Sequence, residues 1–142
     1  MEAPGPGVVL DASAAIALLR GEPSAPQVEQ AVRTASARMA TVNAAETVDV
    51  LVRVYGRTPD DVVAGVEQLL MSVVEPVPAS LELATRAGEL RARLFERRSR
   101  RVSLADCFVL ATAKPGDRIA TGDRLLATVA RDEGVAVIML GT

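Results

Sequence analysis

Short runs of consecutive apolar residues alternate along this chain with longer segments in which apolar positions recur every three or four residues. That is the pattern of buried strands followed by amphipathic helices. Val8-Val9-Leu10 is the first such run and ends at Asp11; SAAIALLR then has the alanine and leucine content of a helix and stops at Gly21. Ala25 to Ala35 reads as a second helix. Met39 to Val42 is another brief apolar run, and Asn43 opens a helix in which Val48, Leu51, Val52 and Tyr55 recur at helical spacing until Gly56. Thr58-Pro59-Asp60-Asp61 combines a cap residue, a proline at the first helical position and acids at the positive dipole end, so a helix runs from there to about Ser72. Val73, Val74 and Val77, interrupted by Pro76, predict a short strand at the sheet edge, because proline has no N–H to give a central ladder. Ser80 caps the longest helix, with Leu83, Ala87, Leu90 and Leu94 on one face and Glu82, Arg86, Glu89, Arg93 and Arg97 on the other. Helices over Ser103 to Ala113 and Arg124 to Arg131, with strands at Ile119-Ala120 and Val135 to Leu140, complete the series.

Strands alternating with helices predict an α/β fold whose open, mostly parallel sheet is covered on both faces. No repeat, low-complexity tract or interdomain linker interrupts the pattern, so residues 1–142 are read as one domain. A loose tail is expected over residues 1–7, where APGPG sustains neither helix nor ladder. Ligands of such sheets lie beyond the carboxyl ends of the strands, which directs attention to polar residues just after each run.

Composition narrows the chemistry those residues can perform. Histidine is absent, which removes imidazole acid–base catalysis, Ser-His-Asp triads and imidazole-ligated zinc. A lone Cys107 leaves neither an intramolecular disulfide nor a cysteine zinc cluster. With no secretion-type opening and no uninterrupted apolar run of about 18 residues, a cytoplasmic location is expected. The aromatics are only Tyr55, Phe95 and Phe108, so the core is aliphatic and a stacking platform for bases is not expected. The formal charge of −2 does not advertise nucleic-acid binding, but its distribution is uneven: all the cations except Lys114 are arginines, and six of them crowd between Arg91 and Arg101.

Four acids stand just after predicted strands or at predicted helix starts: Asp11, Glu46, Asp106 and Asp123. Each has a purely structural explanation. Asn43 to Glu46 and Ser103 to Asp106 have the spacing of a capping box, and Asp123 can cap the helix that follows it. Asp11 is harder to explain that way, since a carboxylate ending a buried strand is costly unless something cationic pairs with it. A divalent metal would supply that charge. It would also let a chain without histidine cut a phosphodiester, by generating the nucleophile and neutralising the phosphate. Magnesium prefers oxygen ligands, retains several waters and takes only one or two carboxylates, so a loose ring of acids suffices. Asp49 is read as a solvated helix residue and Asp117, in the turn KPGD, as structural.

VVLDASAAIALL, TVNAAETVDVLVRVYG, VSLADCFVLATA and IATGDRLLATVA, in that order and spacing, resemble PIN domains, most closely the VapC toxins of bacterial and archaeal toxin–antitoxin pairs. The similarity spans nearly the whole chain, and VSLADCFVLATA is especially close to the family's third acidic motif. The resemblance implies a three-layer α/β/α sandwich and a magnesium- or manganese-dependent endoribonuclease leaving 5′-phosphate and 3′-hydroxyl ends. It further implies homodimerisation and neutralisation by a VapB-type antitoxin. Asp11, Glu46, Asp106 and Asp123 match the family's four metal-binding acids, Asp123 falling on the more variable position. Ser13 and Thr121 match hydroxyls that often line the site. On this reading Asp11 and Asp106 hold the metal directly, Glu46 and Asp123 complete the site, and Asn43 caps the helix carrying Glu46. Transfer RNA is the family's frequent target; structured RNA of some kind is expected here, recognised by shape and backbone.

Arg86 and Arg93 alternate with Glu82 and Glu89 at ion-pair spacing and are assigned to the surface, whereas Arg98, Arg100 and Arg101 lack nearby acids in the following loop and are candidates for phosphate contact. Two rival readings stand beside the nuclease. One is a catalytically inactive PIN-like protein that sequesters RNA or a partner. The other is a phosphoacceptor receiver, suggested by an acidic pocket and by Lys114-Pro115, though only one acid ends the first strand.

Overall fold

In the computed structural model, which describes residues 6–141, β1 (Gly7–Leu10), β2 (Ser36–Ala40), β3 (Val74–Val77), β4 (Arg118–Thr121) and β5 (Ala136–Met139) form one sheet. Their order is β3-β2-β1-β4-β5 and every pairing is parallel. Parallel neighbours need crossovers, which are supplied by α1 (Ala12–Arg20), α2 (Ala25–Thr34), α3 (Thr41–Arg53), α4 (Pro59–Ser72), α5 (Leu81–Leu94), α6 (Leu104–Thr112) and α7 (Arg124–Asp132). Side chains alternate across the sheet. Val8 and Leu10 accordingly pack with Ala14, Val28 and Leu69 of α1, α2 and α4, while Val9 and Ile119 pack with Ala87, Val109 and Leu126 of α5, α6 and α7. The result is a three-layer α/β/α sandwich. A smaller cluster of Ile16, Leu51, Val62 and Val66 joins α1, α3 and α4. No helix among the described residues is long and apolar enough to cross a membrane.

The strand order has consequences for function. From β1 the chain winds to β2 and β3 on one side, then returns to place β4 and β5 on the other, so the carboxyl ends of β1 and β4 form the switch point where such sheets bind ligands. The receiver reading fails here, since receivers of the flavodoxin-like type have the order 2-1-3-4-5. Asp49 confirms this: it lies on α3, exposed and paired with Arg53.

Three expectations are corrected by the strands and their caps. Gly7 is not part of a tail; it opens β1 opposite Ser36, and only residues 1–5 of the expected tail lie outside the described chain. The second strand begins at Ser36 and stops at Ala40, so Thr41 and Val42 belong to α3. Asn43 therefore sits inside that helix and cannot be its cap, a position taken by Ala40. The apolar pattern concealed this because Arg38, a charged residue, occupies a buried strand position. Arg38 can be there because Asp117 pairs with it; Asp117 also accepts the backbone N–H groups of Gly7 at 3.2 Å and Lys114 at 2.8 Å. This buried network ties the amino ends of β1, β2 and β4 together. A cleft of about 810 Å³ opens at this same end between Ser36, Pro78, Arg86 and Lys114, away from the switch point.

Candidate active site

Each acid is delivered by a different part of the fold. Asp11 follows β1, caps α1 and is 5 % exposed. One of its oxygens accepts the Ser13 hydroxyl at 2.6 Å and the Ala14 N–H at 2.9 Å; the other accepts the hydroxyl of Thr121, the last residue of β4. Ser13 and Thr121 do more than line the site. The Ser13 oxygen accepts the Gly122 N–H at 2.8 Å and the Thr121 oxygen accepts the Asp123 N–H at 2.9 Å, so the two hydroxyls clamp the turn after β4 onto Asp11. Asp123, exposed, caps α7 by accepting the N–H groups of Leu125 and Leu126 at 2.8 and 3.2 Å. Asp106 and Ser103 form the expected capping box at the start of α6, with bonds of 3.2 and 3.0 Å.

Glu46 is carried by the second turn of α3, half-buried, and Asn43 explains its placement. The Asn43 amide is 1 % exposed and donates at 3.1 Å to the carbonyl of Ala105, one residue before Asp106, and at 3.5 Å to Glu46. One side chain thus links the helix of the second acid to the helix of the third. Its signal in the sequence was the spacing Asn43, Thr47, Leu51, which puts Asn43 on the buried stripe of the helix and not at its start.

The four acids feel one another. Burial raises the pKa of Asp11, opposed by the hydroxyls of Ser13 and Thr121, and the charge of Asp106 raises it further. Burial also raises Glu46, against the bond from Asn43, with Asp106, Asp11 and Asp123 adding to the rise. Asp106 is raised by burial and by Asp123, against its bonds to Ser103. Among the described residues no arginine or lysine forms an ion pair with any of the four. Asp11 and Asp106 lie at the cap and in the first turn of α1 and α6, whose amino-terminal dipoles favour the ionised form. Cys107, next to Asp106, is buried with its thiol pushed up to about 11, which leaves no thiolate chemistry at this site.

A cluster of mutually repelling carboxylates with no cation of its own suits a hard divalent ion. Among the described residues, no three acids stand as a ready-made cage, and Asp11, Asp106 and Asp123 each spend an oxygen on their own helix starts. Magnesium does not require a cage, and the Asn43 carbonyl oxygen, buried without a partner, adds an oxygen acceptor beside Glu46. The donor set fits such an ion. Of the arginines singled out above, Arg98 and Arg101 are exposed, whereas Arg100 donates its Nε to the Leu94 carbonyl at 2.9 Å. Arg93 pairs with Glu133 of α7 and not with Glu89, and Arg86 has no ion pair among the described residues.

The profile of the PIN domain matches residues 8–132. The chain belongs to the PIN-domain family. A comparison of the sequence with curated proteins found no match. Solved structures with the same fold include VapBC-1 of nontypeable Haemophilus influenzae, with a TM-score of 0.65 and 16% identity, covering 94% of this chain and 97% of that one. VapBC2 of Rickettsia felis, bound to a DNA fragment from their promoter, has a TM-score of 0.70 and 14% identity over 95% of this chain and 99% of that one. VapC20 of Mycobacterium tuberculosis, described as a sarcin-ricin loop cleaving toxin, has a TM-score of 0.60 and 19% identity over 94% of this chain and 89% of that one. At these identities the likeness is one of fold, and this PIN domain's chemistry has to be argued from its own residues.

Proposed function

We propose that this PIN domain is a magnesium- or manganese-dependent endoribonuclease, the toxin of a VapBC-type pair, restrained by a VapB-type antitoxin. The observation that supports the reading is Asp11, buried at the carboxyl end of β1 without an ion pair among the described residues and acted on by the charge of Asp106, with Glu46 acted on by Asp106, Asp11 and Asp123. Asp11 and Asp106 would hold the ion, with Glu46 and Asp123 completing its surroundings directly or through water. When bound, the ion supplies an activated water and neutralises charge on the reacting phosphate. The protein's part is orientation. Ser13 and Thr121 fix both oxygens of Asp11, and Asn43 holds Glu46 against the start of α6. The fold neighbours VapBC-1, VapBC2 and VapC20 support the toxin role and the antitoxin partner. A homodimer and a cytoplasmic location belong to the same proposal.

The deciding experiment incubates purified protein with total RNA in magnesium or manganese, beside EDTA and Asp11→Asn controls, and maps the fragment ends. Cleavage that requires both metal and Asp11, leaves 5′-phosphates and 3′-hydroxyls, and stops when the antitoxin is added is the expected result. RNA binding without metal-dependent cutting would replace the nuclease with the sequestering reading.

A further inference from the structure

The last turn of α5 and its connection to α6 contain six arginines against one glutamate, Glu96, in a molecule of net charge −2. It is not a loose loop. Beyond Leu94 the chain reverses through an antiparallel bridge in which Glu96 and Arg100 exchange both backbone hydrogen bonds, at 2.8 and 2.9 Å. Three of the arginines are structural. Arg91 donates to the Val102 carbonyl at 3.2 Å and its guanidinium lies 4.5 Å over the Phe95 ring; Arg100 donates to the Leu94 carbonyl; Arg93 pairs with Glu133. They hold the base of the hairpin on both sides and dock α5 to α7.

The other three, Arg97, Arg98 and Arg101, are exposed and make no ion pair or side-chain hydrogen bond among the described residues. Arg97 and Arg98 occupy the turn itself, and Arg101 lies two residues before Ser103, the cap of α6. Arg101 and Asp106 are five positions apart, a stretch that spans at most roughly 18 Å, a distance of a few nucleotides. A phosphodiester strand brought to four carboxylates is repelled by them, and guanidinium groups on a hydrogen-bonded turn that leads into Asp106 offset that repulsion.

We propose that Arg97, Arg98 and Arg101 form a phosphate-gripping face that seats the RNA backbone beside the acids, with Arg91 and Arg100 as its scaffold. The inference rests on the ribonuclease reading above. RNA is the occupant the observations favour over an acidic peptide. The turn leads directly into Asp106, and without an aromatic platform the contact has to be made through backbone charge, which RNA carries at every nucleotide.

The test measures binding of a fluorescent stem-loop RNA to the full chain in EDTA, where nothing is cut, across a series of salt concentrations. Arg97→Gln, Arg98→Gln and Arg101→Gln should each weaken binding and lower the slope of log affinity against log salt by about 0.7 to 0.9 per lost phosphate contact. The triple variant should raise KM for cleavage with little change in kcat, and its thermal unfolding should match the wild type because the three side chains are exposed. Arg33→Gln, on the far helix α2, should leave the slope unchanged. A triple variant with unaltered RNA affinity and salt slope would overturn the proposal, and so would one that keeps RNA binding but loses binding to polyglutamate. Failure of the nuclease reading itself would look different: the wild type would not cut RNA with either metal.

Discussion

Asn43 shows how much can depend on one buried amide. A cap residue and a bridging residue predict opposite rankings for the same pair of substitutions. Aspartate is among the best caps, so at a helix start Asn43→Asp would be harmless and Asn43→Ala would cost about 1 kcal/mol. In the bridging geometry Asn43→Ala removes the bond to the half-buried Ala105 carbonyl, at a cost of about 1 kcal/mol. Asn43→Asp turns a carboxylate toward that carbonyl and toward Glu46, and should be the worse of the two at neutral pH. Urea unfolding of both variants in EDTA checks the order; aspartate proving milder than alanine would return Asn43 to a capping role. The orientation of the amide is fixed by the same chemistry, since a flipped side chain would set its oxygen against two acceptors.

Among the elements, the legible ones were those whose pattern is local. The helices α1, α4, α5 and α7 are announced by caps, a proline at the first position and a clear apolar stripe, and Pro76 marked β3 as an edge strand. The beginning of β2 was not legible, because a buried arginine looks like a surface residue until its partner is found 79 positions away. Likewise the four acids could be named from their positions after strands, but the hydroxyl clamp from Ser13 and Thr121 to the turn after β4 depends on β1 and β4 being neighbours, which only the fold establishes. The Arg38–Asp117 network makes its own prediction. Asp117→Ala leaves Arg38 buried without its counter-charge and removes the acceptor for Gly7 and Lys114, and should destabilise the protein by about 3–5 kcal/mol. Gly7→Ala attacks the same network from the other side, since a Cβ there would stand 2.5 Å from an Asp117 oxygen. Thermal unfolding should show both variants strongly weakened; a wild-type transition for Asp117→Ala would mean that the pair does not hold the strands.

For the whole molecule, the acid cluster works against stability. Asp11, Glu46 and Asp106 all have pKa values raised above the ordinary 3.8 and 4.5 of free carboxylates, mainly by burial and then by one another. Between the ordinary and the raised values the folded state binds more protons than the unfolded chain, so over that window stability falls as pH rises. Below 3.8 the three groups are protonated in both states and oppose nothing; above their raised values the full repulsion is present. Other carboxylates behave oppositely, as Asp49 and Glu133 are lowered by Arg53 and Arg93, so the cluster has to be isolated by difference. In EDTA, the stability of Asp11→Asn relative to wild type should grow as pH rises from the ordinary carboxylate range and level off once the raised values are passed. Magnesium or manganese should reverse that ranking at neutral pH by stabilising only the wild type, by about 2.7 kcal/mol at a hundredfold excess over the dissociation constant. The gain should shrink as the pH falls and protons compete for the same oxygens. Calorimetric unfolding of both proteins with and without metal across this range measures all three effects. A difference between the two proteins that does not change with pH would show that the acids do not repel one another in the folded state, and the case for a cation between them would lose its physical basis.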